Sequence, residues 1–414
     1  MKILILAFSL IIPAAVFASA AEPAMRWEEC VSLALKHNPD LASARFSQEA
    51  AQAGYRGSWS ALMPNLSLSN GVSESDGSSK QSWSASGSLG IDLFNMGNYA
   101  SVRSNSASLR QAEARLRLQA ADLRASLAKA FASLLYAQTS VTVADRIEAM
   151  RRTNAELVSL KYDSGAESKG NMLKARADLS AAKADAAAAR RDVRTSRVAL
   201  NRLVGMDDYA VYEATGAWPA GEVPPEPDPR LLEGHPKLAS LEASVSSAKA
   251  GVASAMASLW PTLSASYSRT WKDDQWFPDK PGWSASGSLS YRLFGGGPTQ
   301  TWYASQKARR NLDSADEDLR AGRSSLRSSL EAAWSSLADA AADVAVRAES
   351  LEASRQRNDE ASVRYASGLM NFENWQTVVT EVVQSEKSYI LSLRSLASAK
   401  ADWENALGKQ LEAP

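Results

Sequence analysis

The residues best suited to bond chemistry are few: two histidines, His37 and His235, and one cysteine, Cys30, in 414 residues. A hydrolytic triad needs a nucleophile set against a histidine that a carboxylate orients. A zinc site needs three or four such ligands together. Both histidines adjoin an Asn-Pro or a Pro and are expected at helix starts, where capping accounts for them. One thiol makes no internal disulfide, so oxidising surroundings add no cross-link. The glycine-rich run Gly295-Gly296-Gly297-Pro298 is expected to join a strand to a helix, not to cradle a phosphate. No enzyme, no cofactor and no metal site are therefore expected. The 46 basic and 46 acidic residues balance to zero net charge, which gives no reason to expect a nucleic-acid partner.

With chemistry set aside, the elements decide the reading. Met1-Lys2, an apolar run from Ile3 to Phe17 and a small-x-small end at Ala18-Ser19-Ala20 describe a secretory signal, residues 1–20, cleaved near Ala20. Cys30 follows Trp27-Glu28-Glu29, unlike the small apolar residues that precede a lipidated cysteine. Every later apolar run is interrupted by polar residues, so no transmembrane helix is expected. An exported chain of this kind is periplasmic, secreted or carried in the outer membrane by strands.

Self-similarity is the strongest signal. Pro39 and Pro64 recur as Pro236 and Pro261, an offset of 197. The stretch Trp83 to Leu89 recurs letter for letter as Trp283 to Leu289, and Leu93-Phe94 as Leu293-Phe294, an offset of 200. Leu109, Leu116, Leu123, Leu127, Leu134, Tyr162, Gly165 and Gly205 match Leu312, Leu319, Leu326, Leu330, Leu337, Tyr365, Gly368 and Gly408 at 203. The offset changes only in expected loops. We therefore read repeat 1 at 21–205, a proline-rich linker at 206–234 that cannot be regular helix, and repeat 2 at 235–414.

Within each repeat, proline and glycine mark the boundaries. Asn38-Pro39-Asp40 and His235-Pro236 open short helices that run to just before Pro64 and Pro261, the second at about 236–260. Strands are expected at about 64–74, 82–94, 261–272 and 282–294. Trp83, Ala85, Leu89, Ile91 and Leu93 alternate with Ser84, Ser86, Ser88, Gly90 and Asp92, so one face is apolar and the other polar. Runs of about ten residues match a tilted strand crossing a bilayer. Trp83, Trp271 and Trp283 at one end, with Phe94 and Phe294 at the other, resemble interfacial aromatic girdles. Long helices follow at about 99–162 and 300–365, roughly 100 Å each at 1.5 Å per residue. Their Leu positions step by sevens, fours and threes like a coiled-coil seam. Return helices are expected at about 167–205 and 370–408. The fold class is thus mainly α with transmembrane β. Four strands have open edges that a bilayer does not tolerate, so the chain must oligomerise; two, three or four copies all reach a closable strand number.

The order of short helix, two strands, long helix and return helix, twice over, resembles the TolC family of outer-membrane efflux proteins across essentially the whole mature chain. The residues that carry the resemblance are Trp27-Glu28-Glu29-Cys30-Val31-Ser32-Leu33-Ala34-Leu35 with Asn38-Pro39, the Leu-x-Pro junctions at Pro64 and Pro261, and the Tyr-x-x-Gly turns at Tyr162–Gly165 and Tyr365–Gly368. The resemblance implies a homotrimer in the outer membrane of a Gram-negative bacterium, in contact with its lipid. A twelve-stranded β-barrel would continue as a long periplasmic α-helical barrel. It also implies that Tyr162, Ser164, Gly165, Ala166, Tyr365, Ser367, Gly368 and Leu369 form the periplasmic tip. There a periplasmic adaptor (membrane fusion) protein would dock and link the channel to an inner-membrane pump of the RND or ABC type. One departure stands out. Where the family often narrows its pore with acidic residues, this chain has Asn374 and Thr377, with Glu373 beside them, and Asn171 and Lys174 in the first repeat. The implied gate residues here are Glu373 and Asn374. Two rival readings are a duct for type I polypeptide secretion and a soluble periplasmic coiled-coil scaffold or adaptor.

Overall fold

The structure, a computed structural model, describes residues 24–74, 81–216, 223–291 and 298–411. Three of the sequence expectations fall outside these residues: the signal at 1–20, Phe294, and the glycines of the 295–298 run.

The chain opens on a two-residue strand, β1 (Ala24–Met25), and a helix, α1 (Trp27–His37). Next comes α2 (Pro39–Ser58), whose cap is Asn38: its side-chain oxygen accepts from Leu41 N–H at 2.8 Å, and Pro39 opens the first turn. The expectation that His37 starts a helix is corrected, since it ends α1. Two helices abut at Asn38, and a histidine in a last turn meets the negative end of the helix dipole. His235 does cap its helix, α5 (Pro236–Ala255), with Nδ1 accepting from Lys237 N–H at 3.1 Å. That helix stops at Ala255, short of residue 260, and a 3-10 turn (Ala257–Leu259) follows. Pro261 requires the residue before it to be extended, and Trp260 has φ −103° and ψ 144°.

Four long strands, β2 (Asn65–Ser73), β3 (Ser82–Phe94), β5 (Thr262–Asp273) and β6 (Lys280–Ser290), form one antiparallel sheet in the order β2-β3-β5-β6. A short strand in the linker, β4 (Glu213–Ala214), pairs in parallel with β1. Register in the large sheet sorts side chains cleanly. Leu66 faces Leu89, which faces Tyr267, which faces Ala285; one residue along, Ser67 faces Ser88, Ser88 faces Ser268 and Ser268 faces Ser284. The serine hydroxyls bond across strands, as in Ser69–Ser86 at 2.7 Å and Ser266–Ser286 at 2.8 Å. The opposite face leaves Leu66, Leu68, Trp283 and Leu289 exposed, each by more than two thirds.

The rest is helical: α3 (Met96–Asp163), α4 (Lys169–Val204), α6 (Pro298–Ala366) and α7 (Phe372–Ala406). The 68 residues of α3 extend about 100 Å. It begins three residues before the expected 99, because the Asn95 side chain caps Gly97 N–H at 3.0 Å. Helix α3 packs against α2 and α4 and also against α5 and α7, while α6 packs on α5 and α7. Among the described residues, no helix is long and apolar enough to cross a membrane.

The core is divided along the length of the molecule, as a thin helical wall requires. One cluster joins α1 to the middle of α3, with Cys30, Leu127, Phe131, Leu134 and Leu200 almost fully buried. A second sits at the helical tip around Val158, Tyr365, Trp375 and Val379. A third joins α6 to the end of α7 around Leu326, Leu330, Leu337 and Trp403.

Candidate functional site

Two hairpin turns end the helical part, and their sequences dictate their shape. Helix α3 closes with Gly165 at φ 77° and α6 with Gly368 at φ 78°, the left-handed conformation that glycine adopts without strain. Each turn carries the paired closing bonds of that motif: Ala166 N–H to Lys161 O at 2.8 Å with Gly165 N–H to Tyr162 O at 2.9 Å, and Leu369 N–H to Arg364 O at 2.8 Å with Gly368 N–H to Tyr365 O at 3.1 Å. Ser168 then caps α4 and Asn371 caps α7, their side-chain oxygens accepting from Asn171 and Asn374 N–H.

The tip holds the two halves of the chain together. Tyr365, buried to 1% exposure, stacks on Trp375 with ring centroids 4.2 Å apart and planes 6° from parallel. Its hydroxyl donates to Glu167 Oε2 at 2.8 Å, on the other half's turn. Lys161 Nζ lies 4.4 Å over the Tyr365 ring and donates to the Tyr365 carbonyl at 2.5 Å. Burial alone would raise the Glu167 carboxyl. Hydrogen bonds from Asn171, Tyr365 and Ser168 N–H, together with the Lys161 charge, outweigh it and hold the group below the ordinary carboxylate range. Burial and the Glu167 contact push the Tyr365 phenol well up, so it stays a donor at any physiological pH.

Farther from the turn, cations of α3 meet acceptors of α7. Arg151, buried and pulled below its ordinary value by that burial, donates to Gln376 Oε1 at 3.3 Å and to Thr380 at 3.5 Å, and pairs with Asp178 of α4 at 3.7 Å. Gln376 in turn donates to Asp178, which also pairs with Lys174. Higher on the same two helices, Arg146 meets the buried Glu386 at 3.3 Å, and Arg355 of α6 meets it at 2.9 Å. Arg124 meets Glu404 at 3.0 Å and Lys129 meets Asp402 at 2.5 Å. Burial raises Glu404, but Arg124 and Lys409 prevail and keep it ionised below its usual range. The three ion pairs that join α3 to α7, Arg146–Glu386, Arg124–Glu404 and Lys129–Asp402, all place the cation on α3 and the acid on α7. Lys387 of α7 also reaches Asp185 of α4 at 2.6 Å.

The structure brings some sequence-derived site residues into contact and leaves others apart. Tyr365 lies inside the contact, while Ser164, Gly165, Ala166, Ser367, Gly368 and Leu369 form the exposed rim and Tyr162 packs at its edge. Glu373 and Asn374 take no part in the polar contacts between halves. Helical periodicity turns Phe372, Trp375 and Val379 inward and leaves 373, 374 and 377 on the exposed face. Glu167, Lys161, Arg151, Asp178, Gln376 and Thr380 were missed. A signal existed for Arg151, which lies one heptad before the buried Val158, on the apolar seam. At the sheet, Trp83 packs on Trp276 at 4.3 Å at one end, and Phe94 on Trp260 at 6.4 Å at the other. Trp271 and Trp283 share a face with Trp83.

Comparison with known proteins gives the context. A family model described as "Outer membrane efflux protein" matches residues 30–206 and 229–409. No curated protein sequence matches the chain significantly. Among solved structures, the outer-membrane channel OprN has a TM-score of 0.83 at 20% identity, covering 92% of this chain and 90% of that one. CusC has a TM-score of 0.83 at 15% identity, covering 91% of each. The outer membrane protein VceC of Vibrio cholerae has 0.82 at 18%, covering 92% of this chain and 96% of that one. At these identities the structural likeness shows the fold.

Proposed function

Because the chain belongs to the outer membrane efflux protein family, we propose that three copies form a passive exit duct for small toxic compounds, driven by an inner-membrane pump through a periplasmic adaptor. Family membership makes it an outer-membrane efflux channel protein of a Gram-negative bacterium, with a large periplasmic helical part. Its family is one of channels, not of enzymes.

The observation that carries the proposal is the two-faced sheet. One face exposes leucine and tryptophan, the other is a ladder of serines, and no other layer covers either among the described residues. A bilayer outside and water inside suit both faces at once. The open edges, β2 and β6, need partners, and a second copy supplies them. Packing runs from α2 and α4 through α3 and α5/α7 to α6, so the helical wall also has two free flanks in each chain. One rotation between copies would then close strands into a twelve-stranded barrel and helices into a tunnel. The exposed rim from Ser164 to Ala166 and from Ser367 to Leu369, backed by Tyr162 and the buried Tyr365, is the surface offered to the adaptor. The exposed face of α7 with Glu373 and Asn374 lines the lumen beside it. In this reading the energy for transport comes from the pump.

The test is the mass of the mature protein, extracted from outer membranes with detergent and measured by light scattering after subtracting the detergent, followed by conductance in planar bilayers. Three subunits and discrete channel steps support the proposal. A single subunit that stays soluble without detergent refutes it.

A further inference from the structure

The apolar face of the sheet carries one arginine that neither pore nor assembly explains. Arg269 lies on β5, opposite Gly87 of β3 and Trp283 of β6, on the face that exposes Leu66, Leu68 and Leu289. Its guanidinium sits 5.3 Å from the Trp271 ring centroid. Among the described residues it has no acidic partner; Asp273, farther along the strand, is held by Lys280 at 2.9 Å. A cation on a lipid-facing strand is costly at the bilayer midplane and tolerated near the interface, where anionic groups are found. Trp83, Trp271 and Trp283 mark that level on this face. In the first half of the chain, the position matching Arg269 at the offset of 197 is Val72, so the arginine is particular to one half.

Beside the arginine the sheet surface is notched. Ala85 and Gly87 form the floor, and Leu68 and Trp271 the apolar walls, of an open cavity of about 310 Å³, whose lining Asn70, Ser69 and Ser86 complete. A Cβ on Gly87 would come within 3.2 Å of Leu68 Cδ2, so the depth of the notch depends on the glycine. A largely apolar slot next to an indole-backed guanidinium with no acidic partner among the described residues suits a phosphorylated lipid: an acyl chain lies in the slot and a phosphate accepts the planar fork of donors.

We propose that Arg269 and the Leu68–Ala85–Gly87–Trp271 slot bind a phosphorylated glycolipid of the outer leaflet. The site rests on the reading of this face as lipid-facing. The test uses the full-length protein in mild detergent. Phosphorylated glycolipid retained per subunit is measured by mass spectrometry; the delipidated protein is then titrated with lipid A and with its dephosphorylated form. R269Q should bind lipid A about ten-fold more weakly than wild type, the loss of one charge-assisted contact. R269K, which keeps the charge but loses the planar fork, should fall between R269Q and wild type. G87V, which fills the slot and keeps the charge, should also weaken binding, and millimolar inorganic phosphate should not displace the lipid. Wild-type affinity in R269Q, equal binding of the dephosphorylated form, or full displacement by inorganic phosphate overturns the proposal. Should R269Q not assemble, unchanged binding in G87V overturns it alone. A protein that is monomeric without detergent would defeat the membrane reading itself, whereas a detergent-held trimer with unaltered lipid binding defeats only this site.

Discussion

Replacing Tyr365 with phenylalanine removes one oxygen from the tip and little else. The ring keeps its stack on Trp375 and its place under Lys161. What is lost is the 2.8 Å bond to Glu167, one of two direct hydrogen bonds that join the halves here, while the bond from Lys161 Nζ to the Tyr365 carbonyl stays. A hydrogen bond to a charged group contributes about 1.5–3 kcal/mol. Glu167 retains Asn171 Nδ2 at 2.8 Å and Ser168 N–H at 3.1 Å, so the carboxylate is not orphaned and the low end, about 1.5 kcal/mol, applies. If this contact exists only while the tip is closed, Y365F shifts the closed-to-open ratio about ten-fold per subunit. Single-channel recording in planar bilayers reads this directly as shortened closed dwells. The same contact fixes the pH response. The folded-state pKa of Glu167 lies below its unfolded value, so its contribution is complete above the unfolded value and is lost as pH falls through the folded one. Wild type should therefore gate uniformly from neutral pH down to the ordinary carboxylate range and open more often only below it, and E167Q should lack that acid response. Closed dwells in Y365F equal to wild type, in protein of unchanged melting temperature, would refute the assignment of this contact to the closed tip.

Other expectations follow from the same geometry. D178N leaves the buried Arg151 with only neutral partners and should cost about 3 kcal/mol in chemical denaturation, more than R151Q, which leaves Asp178 with Lys174. Gly165 and Gly205 share nearly the same positive φ, but a Cβ on Gly205 would lie 2.3 Å from His37 O whereas one on Gly165 meets nothing within 4 Å. G165A should therefore cost about 1 kcal/mol and G205A about 3 kcal/mol, the excess measuring the clash. Cys30 has no exposed surface, and burial with Glu29 nearby pushes its thiol up to about 12; it should resist maleimide in the folded protein at pH 7.5 and react on unfolding.

The parts of this fold legible in sequence are those set by local rules. Prolines fixed where helices open, as at Pro39 and Pro236, and period two fixed which strand residues share a face, as register now displays for Leu66, Leu89 and Tyr267. Boundaries moved where a side chain decided them, at Asn95 for the start of α3 and at Trp260 before Pro261 for the end of α5. His37 was misplaced because two helices abut at Asn38, and an Asn-Pro pair looks the same whether a loop or another helix precedes it.

The contacts between halves were harder to see, and the reason is physical. Ion pairs such as Arg146–Glu386 join residues 240 positions apart, and no spacing rule connects them. What the sequence does hold is the anomaly on each helix alone. Arg151 sits a heptad before Val158, and Glu386 four residues after Val382 and four before Ile390, each a charge on an otherwise apolar seam. Isolated, such charges would be expensive to bury, so each demands an opposite charge on the helix it faces. The partners that meet that demand come from different helices: Arg151 of α3 finds Asp178 of α4, and Glu386 of α7 is met by Arg146 of α3 and Arg355 of α6 together.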